Sequence, residues 1–282
     1  MPWLDEFLQH AFNRRALLAA LLIGFTNGYV SAFIVLRKSA LRVGSLSHAL
    51  LPGIALAVMV AGLTEWSAFL GALFAALFIG LGSLAVSRGS RLDQDSALAI
   101  LYTAAFSGGI ILLRRIGVTQ ELDHWLFGNI MGLRDTDLWT TFWISAFALT
   151  LLTALHRPLL MVMFEPEVAA TLGVPVRALN YLLLGTMIVV LISSLQAVGC
   201  ILALGLLVTP AATLYLLTNS TQWLFWGGAL LGALCATSAI LLGWWLNLEQ
   251  GPTIVLLLGL VFVLAFLGSP KYGLLARLRK NA

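Results

Sequence analysis

The chain has 282 residues, of which 60% are hydrophobic and only 10% charged, and it carries a net charge of +4. Its mean hydropathy is +0.98, whereas a soluble domain holds about 25% charged residues, so too few charges remain to solvate a globular surface. A soluble globular protein is therefore excluded. So is a nucleic-acid-binding face, because Lys and Arg sit almost entirely between the apolar blocks.

The N-terminal stretch MPWLDEFLQHAFNRR is acidic first and basic late, which is not the pattern of a removed signal peptide. Within it, LDEFLQHAF predicts a short amphipathic helix at the membrane interface, with His10 at headgroup level. Runs of about 20 apolar residues then predict an all-α polytopic membrane protein. The spans fall at 16–36, 45–63, 66–87, 96–113, 138–156, 179–196, 200–218, 222–246 and 252–268. That makes nine, with eight or ten as the neighbouring counts, in a single transmembrane domain over 1–282.

The connections carry signals of their own. Loop 88–95 is short and polar, and Asp93 and Asp95 open the fourth span, with Asp95 expected as its N-cap. Segment 114–137 contains QELDHWLFGNIMGL, which reads as a short interfacial or re-entrant helix. His156, beside Arg157, is expected at the interface. Segment 157–178, HRPLLMVMFEPEVAATLGVPVR, reads as a substantial loop with a helical middle. The two cysteines, Cys200 and Cys235, lie in apolar segments without CxxC spacing and read as small core residues.

Placing the N-terminus outside puts eleven of the sixteen Lys and Arg residues on the cytoplasmic side, among them Arg37, Lys38, Arg42, Arg88, Arg157 and Arg177. Only Arg14, Arg15, Arg114, Arg115 and Arg134 remain outside, so the positive-inside rule selects this orientation. Residues 164–175 and the basic C-terminal stretch ARLRKNA then lie in the cytoplasm. Dense small residues in GALFAALFIGLGSLA and GGALLGALCATSA let helix backbones approach closely. Helix breaks at LLPGIA and LVTPAAT free backbone groups that must be satisfied by protein or by a water-filled cavity.

Several chemistries are missing from the sequence. No GxxxxGK[ST] loop exists, since none of the three lysines, Lys38, Lys271 and Lys280, follows a glycine. HExxH and GxSxG are absent as well. No span contains an acidic residue, which disfavours a stand-alone proton- or sodium-coupled carrier. The exception among polar residues is His48. Ten residues beyond Lys38, it would lie about 15 Å deep, near the middle of a ~30 Å hydrocarbon core. An imidazole there needs a partner: Ser45, Ser47 or a carbonyl on one reading, a transiting Zn²⁺, Fe²⁺ or Mn²⁺ on the other. The residues alone leave both open. His124, with Glu121 and Asp123, offers three further ligands in four residues of an external loop, or equally a solvated loop with Asp123 as a cap.

Five stretches in sequence order then carry a resemblance: FIVLRKSALRVGSLSHALLPGIALA (33–57), LDHWLFGNIMGL (122–133), FEPEVAATLGVP (164–175), AVGCILALGLLVTPAATLYLL (197–217) and GPTIVLLL (251–258). Together the chain resembles the integral-membrane permeases of bacterial ABC importers for divalent metals, of the zinc, manganese and iron type. The resemblance implies a permease in the bacterial inner membrane that is no enzyme itself. It would pair with a second permease copy, as homodimer or heterodimer, with cytoplasmic ATPase subunits and with an extracytoplasmic metal-binding protein. No cofactor would be bound permanently; the metal is cargo, with zinc expected ahead of manganese and iron. His48 is implied as the transit site, with Glu121, Asp123 and His124 as weaker ligands. Phe164, Glu165, Pro166, Glu167 and Gly173 belong to the segment implied as the helix that couples to the ATPase. The family commonly carries Asp four residues before the histidine and another near Asn247; here the first position is Gly44 and the second stays neutral. The same architecture moving a metal chelate is the alternative these losses suggest.

Overall fold

The structure, a computed structural model, describes residues 2–62, 65–116 and 128–269, without the side chains of 2–5, 41–42, 46–49, 51, 65–66, 196–197 and 200–202. The described residues are helical throughout, with no strand among them. A short helix α1 (Pro2–Gln9) leads into α2 (Ala11–Leu36), α3 (Ala40–Ala61), α4 (Glu65–Gly89) and α5 (Gln94–Ile116). After a single 3₁₀ turn at Ile130–Gly132 come α6 (Asp135–Ala154), α7 (His156–Phe164) and α8 (Pro166–Thr171). The chain closes with α9 (Val176–Val198), α10 (Cys200–Leu217), a π-helical turn at Trp223–Gly227, α11 (Gly228–Leu246) and α12 (Gln250–Gly268).

Seven of these helices are long and apolar enough to cross a membrane. In α3 and α10 the described apolar stretches, Pro52–Ala61 and Ala203–Leu217, are shorter than that requirement. Seven is thus the number the described residues establish, against an expected nine. The helix ends nevertheless sort into two layers that alternate along the chain. At one end Arg37 donates to Asn180 Oδ1 at 2.6 Å, and the Ser269 hydroxyl to the Leu216 carbonyl at 2.7 Å. At the other, Arg15 lies 3.6 Å from Asp135, and Phe7 packs edge-on against Trp244 at 5.5 Å.

Helix α2 is the centre of the bundle: 72% of its most apolar window is buried, against 17% for α12. A helix apolar on every face suits that position. It meets α11 through glycines on both partners. A Cβ on Gly24 would stand 2.6 Å from the Gly232 carbonyl oxygen, and one on Gly28 would stand 2.8 Å from the Gly228 carbonyl carbon. Gly228 returns the contact on the Gly28 oxygen at 2.8 Å. With hydrocarbon outside as well as inside, such close approach supplies the van der Waals contact that drives helices together.

Polar groups inside the bundle are paired across helices. The amide of Asn27 donates to Ser194 Oγ at 2.8 Å, joining α2 to α9, both side chains being buried. The break in α10 at Pro210 is satisfied from within the protein: the Ala211 N–H donates to Ser31 Oγ of α2 at 3.1 Å. The break in α3 is closed by packing. Gly53 and Gly71 of α4 face each other through their backbones, and a Cβ on Gly109 of α5 would lie 2.7 Å from Pro52 Cα. Beside that contact, α3, α4 and α5 line a groove of about 970 Å³ with Leu56, Val60, Phe74, Phe78, Leu101 and Leu112 among its walls.

Three local expectations are corrected. Segment 157–178 is mostly helix, in two pieces; Pro166 pushes the residue before it out of helical geometry, so Glu165 (φ −137°) separates α7 from α8. The N-cap of α5 is Asp93 and not Asp95. Its carboxylate accepts from the Ser96 N–H at 3.0 Å and from the Ser96 hydroxyl at 2.6 Å, bonds that hold its pKa below the ordinary carboxylate value. Helix α1 stops at Gln9, so His10 lies just past it, exposed and stacked on Phe12 at 5.3 Å. Of the stretch expected as an interfacial helix, only the turn at Ile130–Gly132 falls among the described residues. Cys235 is buried as expected, whereas the side chain of Cys200 lies outside the described ones.

Candidate translocation path and coupling segment

Helix α3 begins abruptly. Lys38 takes a left-handed conformation (φ 53°) that closes α2, and the Ser39 N–H returns to the Ile34 carbonyl at 3.0 Å. Helix α3 then starts at Ala40, and His48 follows eight residues on, about 12 Å along the axis. The side chain of His48 lies outside the described ones. One turn earlier, Gly44 is buried against α10: a Cβ there would meet the two Leu204 methyls at 3.1 and 3.3 Å. The place where a longer side chain would project is filled by leucine. Asn247 is the left-handed C-cap of α11 (φ 52°) and is exposed. Among the described residues no three of His, Cys, Asp and Glu come together to hold a metal. Glu121, Asp123 and His124 lie outside the described residues.

Residues 164–175, the segment that the resemblance implies couples to the ATPase, are all described. Leu159 and Val162 hold α7 to the bundle, while α8 touches it through Ala169, which is fully buried. Glu165 sits at the N-cap position, Pro166 at the first helical position and Glu167 in the first turn, the chemistry that favours a helix start. Gly173 (φ 78°) ends α8, with its N–H on the Ala170 carbonyl and the Val174 N–H on the Ala169 carbonyl. Along α8 and its two ends, Phe164, Val168 and Leu172 are 61%, 44% and 67% exposed. This segment lies between α6 and α9, outside the helices long and apolar enough to cross a membrane.

A residue-by-residue match now gives the geometry a family. A profile of the ABC 3 transport family matches residues 9–269. The chain belongs to the ABC 3 transport family. It is a multi-pass permease of the bacterial cell membrane and not an enzyme, ATP hydrolysis falling to a separate subunit. It is similar to the manganese transport system membrane protein MntC of Halalkalibacterium halodurans, with 39% identity over 274 residues that cover 97% of this chain and 92% of that protein. The chelated iron transport system membrane protein YfeD of Yersinia pestis is 30% identical over 94% of this chain and 88% of its own length. Among solved structures, PsaBC from Streptococcus pneumoniae, in complex with a Fab, superposes at a TM-score of 0.88. That chain is 31% identical, and the match covers 100% of this permease and 99% of it.

One residue of this permease, expected at the interface, has partners from distant parts of the chain. His156 is half-buried, its ring in an aromatic pocket. Its ring meets Phe225 edge-on at 4.6 Å and Phe33 at 6.2 Å, and its Nδ1 lies 3.4 Å from the Tyr29 hydroxyl. These partners come from α2 and the π-helical turn, more than a hundred residues away along the chain on the α2 side, so no local pattern announces them. Burial lowers the His156 pKa from its ordinary 6.5. The unfolded chain therefore takes up this proton at higher pH than the folded one. Stability is undiminished above pH 6.5 and falls as pH drops through that value towards the lower folded pKa. Melting of the detergent-solubilised protein between about pH 8 and pH 5 should show a steeper acid-side loss for wild type than for His156→Phe. Parallel curves would show that the folded and unfolded chains bind this proton alike.

Proposed function

We propose that this permease forms the membrane path of an ATP-driven importer for a divalent transition metal, manganese ahead of iron and zinc. The metal order rests on relatives: the similar proteins are named as manganese and chelated-iron transport systems. That is why manganese displaces the zinc expected from sequence. The single observation that carries the importer reading is the exposed apolar row Phe164, Val168 and Leu172, flanked by Glu165 and Glu167, on a segment outside the spans. Leaving three large apolar side chains in water costs free energy that a partner surface recovers. In this family the fitting partner is the ATPase subunit. The whole of 1–282 acts as one permease domain, two copies of which flank the path.

His48 on α3 is the transit ligand in this reading, and the metal passes as cargo without residing. A binding protein outside delivers it, with Glu121, Asp123 and His124 as the receiving loop. A second reading has one observation in its favour: Leu204 fills the space beside Gly44, leaving this turn of α3 apolar, which suits a chelate better than a bare ion.

The test is reconstitution of the permease with its ATPase and binding protein in proteoliposomes. ATP-dependent accumulation of manganese is expected; accumulation of zinc alone, or of metal only as a chelate, would overturn the metal assignment. In the same preparation, Phe164→Ser with Leu172→Ser should abolish copurification of the ATPase while the permease remains inserted. Undiminished copurification would remove α8 from the contact.

A further inference from the structure

We infer that His156 is a positioning residue that transmits movement of α7 and α8 into α2 and α11, and through them to the α3 path. The inference rests on the reading of α8 as the ATPase contact. Helix α7 starts at His156 and runs straight into the coupling segment, nine residues or about 13 Å later. Its first side chain enters the pocket formed by Tyr29, Phe33 and Phe225, each no more than 1% exposed. Phe33 and Phe225 also pack on each other at 4.6 Å, and Tyr29 on Phe225 at 5.2 Å. A pocket packed this closely does not deform gradually; displacement of α7 must carry the rings with it or expel the imidazole.

Two features make the pocket a junction and not merely packing. Phe225 occupies the middle of the π-helical turn at Trp223–Gly227, a wide turn of the kind found where helices must readjust. From Tyr29 the route continues along the backbones of α2 and α10. Two residues on, Ser31 holds the Ala211 N–H next to Pro210 in α10, and Leu204 of the same helix covers Gly44 of α3. Side-chain contacts joined by stretches of the α2 and α10 backbones thus lead from the start of α7 to the turn of α3 that precedes His48. Contiguity alone does not establish coupling, so the decisive quantity is how many ions move per ATP consumed.

The experiment uses the assembled transporter in proteoliposomes, with manganese uptake and ATP hydrolysis measured on the same vesicles. His156→Ala is expected to keep the ATPase bound and its basal hydrolysis unchanged, while manganese moved per ATP falls roughly tenfold. His156→Phe, which keeps the ring edges in the pocket, should restore the ratio to within about twofold. A purely structural histidine would lower the yield or melting temperature of the alanine variant without changing the ratio in the molecules that survive. Should His156→Ala fail to insert, Phe225→Leu opens the same contact from the opposite side and is expected to lower the ratio in the same way. An unchanged ratio in the variants that insert overturns the inference. If Phe164→Ser with Leu172→Ser still copurifies the ATPase, the coupling reading itself fails and this inference with it. If that pair loses the ATPase while the ratio in His156→Ala is unchanged, only the inference fails.

Discussion

Gly28→Val is expected to leave no folded permease in the membrane. The Gly28 Cα faces the backbone of α11, and even a Cβ there would stand 2.8 and 2.9 Å from the Gly228 carbonyl carbon and Ala229 Cα. These are backbone atoms that cannot swing aside, so α2 and α11 must separate along their length. Separation breaks the neighbouring contact at Gly24 with Gly232 and loosens the aromatic pocket just beyond. Overpacking a core by one or two methyl groups costs about 1–3 kcal/mol where side chains can adjust; here they cannot, and α2 is the helix on which the bundle is built. Gly259→Ala on α12 is the control, because a Cβ there meets nothing within 4 Å. At that position the loss of unfolded-state freedom is expected to stabilise by about 0.4–1 kcal/mol. Expression and melting in mild detergent check both. A Gly28→Val protein that melts with wild type would show that α2 and α11 do not meet in the membrane as they do here.

What could be read from the sequence divides along physical lines. Hydropathy sets where helices cross, since the hydrocarbon core imposes a length and tolerates no unpaired backbone. Small residues announced close packing on α4 and α11, where Gly71, Gly228 and Gly232 indeed meet other backbones. Their partner on α2 was silent. A glycine in an apolar run looks the same whether lipid or another helix faces it, and Gly24 and Gly28 are surrounded by Ile, Phe, Thr and Tyr. His156 was unreadable for a related reason. A histidine beside an arginine at a span's end has a local explanation, and the residues that make its pocket, Tyr29, Phe33 and Phe225, are distant in sequence.

The coupling segment shows the opposite case. Glu165, Pro166 and Glu167 spell out a helix start in sequence, and α8 starts there. What sequence could not give was the exposure of Phe164, Val168 and Leu172, because apolar residues in a short connecting helix are as easily buried on the bundle as Ala169 is. Capping was legible only to within two residues: Asp93 and Asp95 both precede the apolar run, and the hydrogen bonds to Ser96 show that the helix starts after Asp93.

His48→Ala is expected to lower ATP-driven manganese uptake by roughly 10–100-fold, the range that follows the loss even of groups supporting a metal ligand. Neutral imidazole suits iron and zinc and binds manganese more weakly than carboxylate oxygens do, and alanine offers nothing in its place. The ATPase should remain bound, since α3 is remote in sequence from α8. Uptake that survived the substitution intact would take α3 out of the path. Gly44 lies one turn before His48, so a carboxylate added there shares a helix face with it. Gly44→Asp alone must press Leu204 back by a few tenths of an ångström, and the contacting atoms are methyls at the far end of a flexible chain. The substitution is therefore expected to insert but to work poorly, with Gly44→Asp plus Leu204→Ala relieving the crowding. In the double variant manganese should be held more tightly and released more slowly, lowering both KM and the maximal rate. If instead both parameters stay at wild-type values, the turn of α3 around Gly44 is not in contact with the ion. If the carboxylate raises uptake of bare manganese without slowing release, the apolar turn is what limits this permease, and a chelate is the cargo it was shaped for.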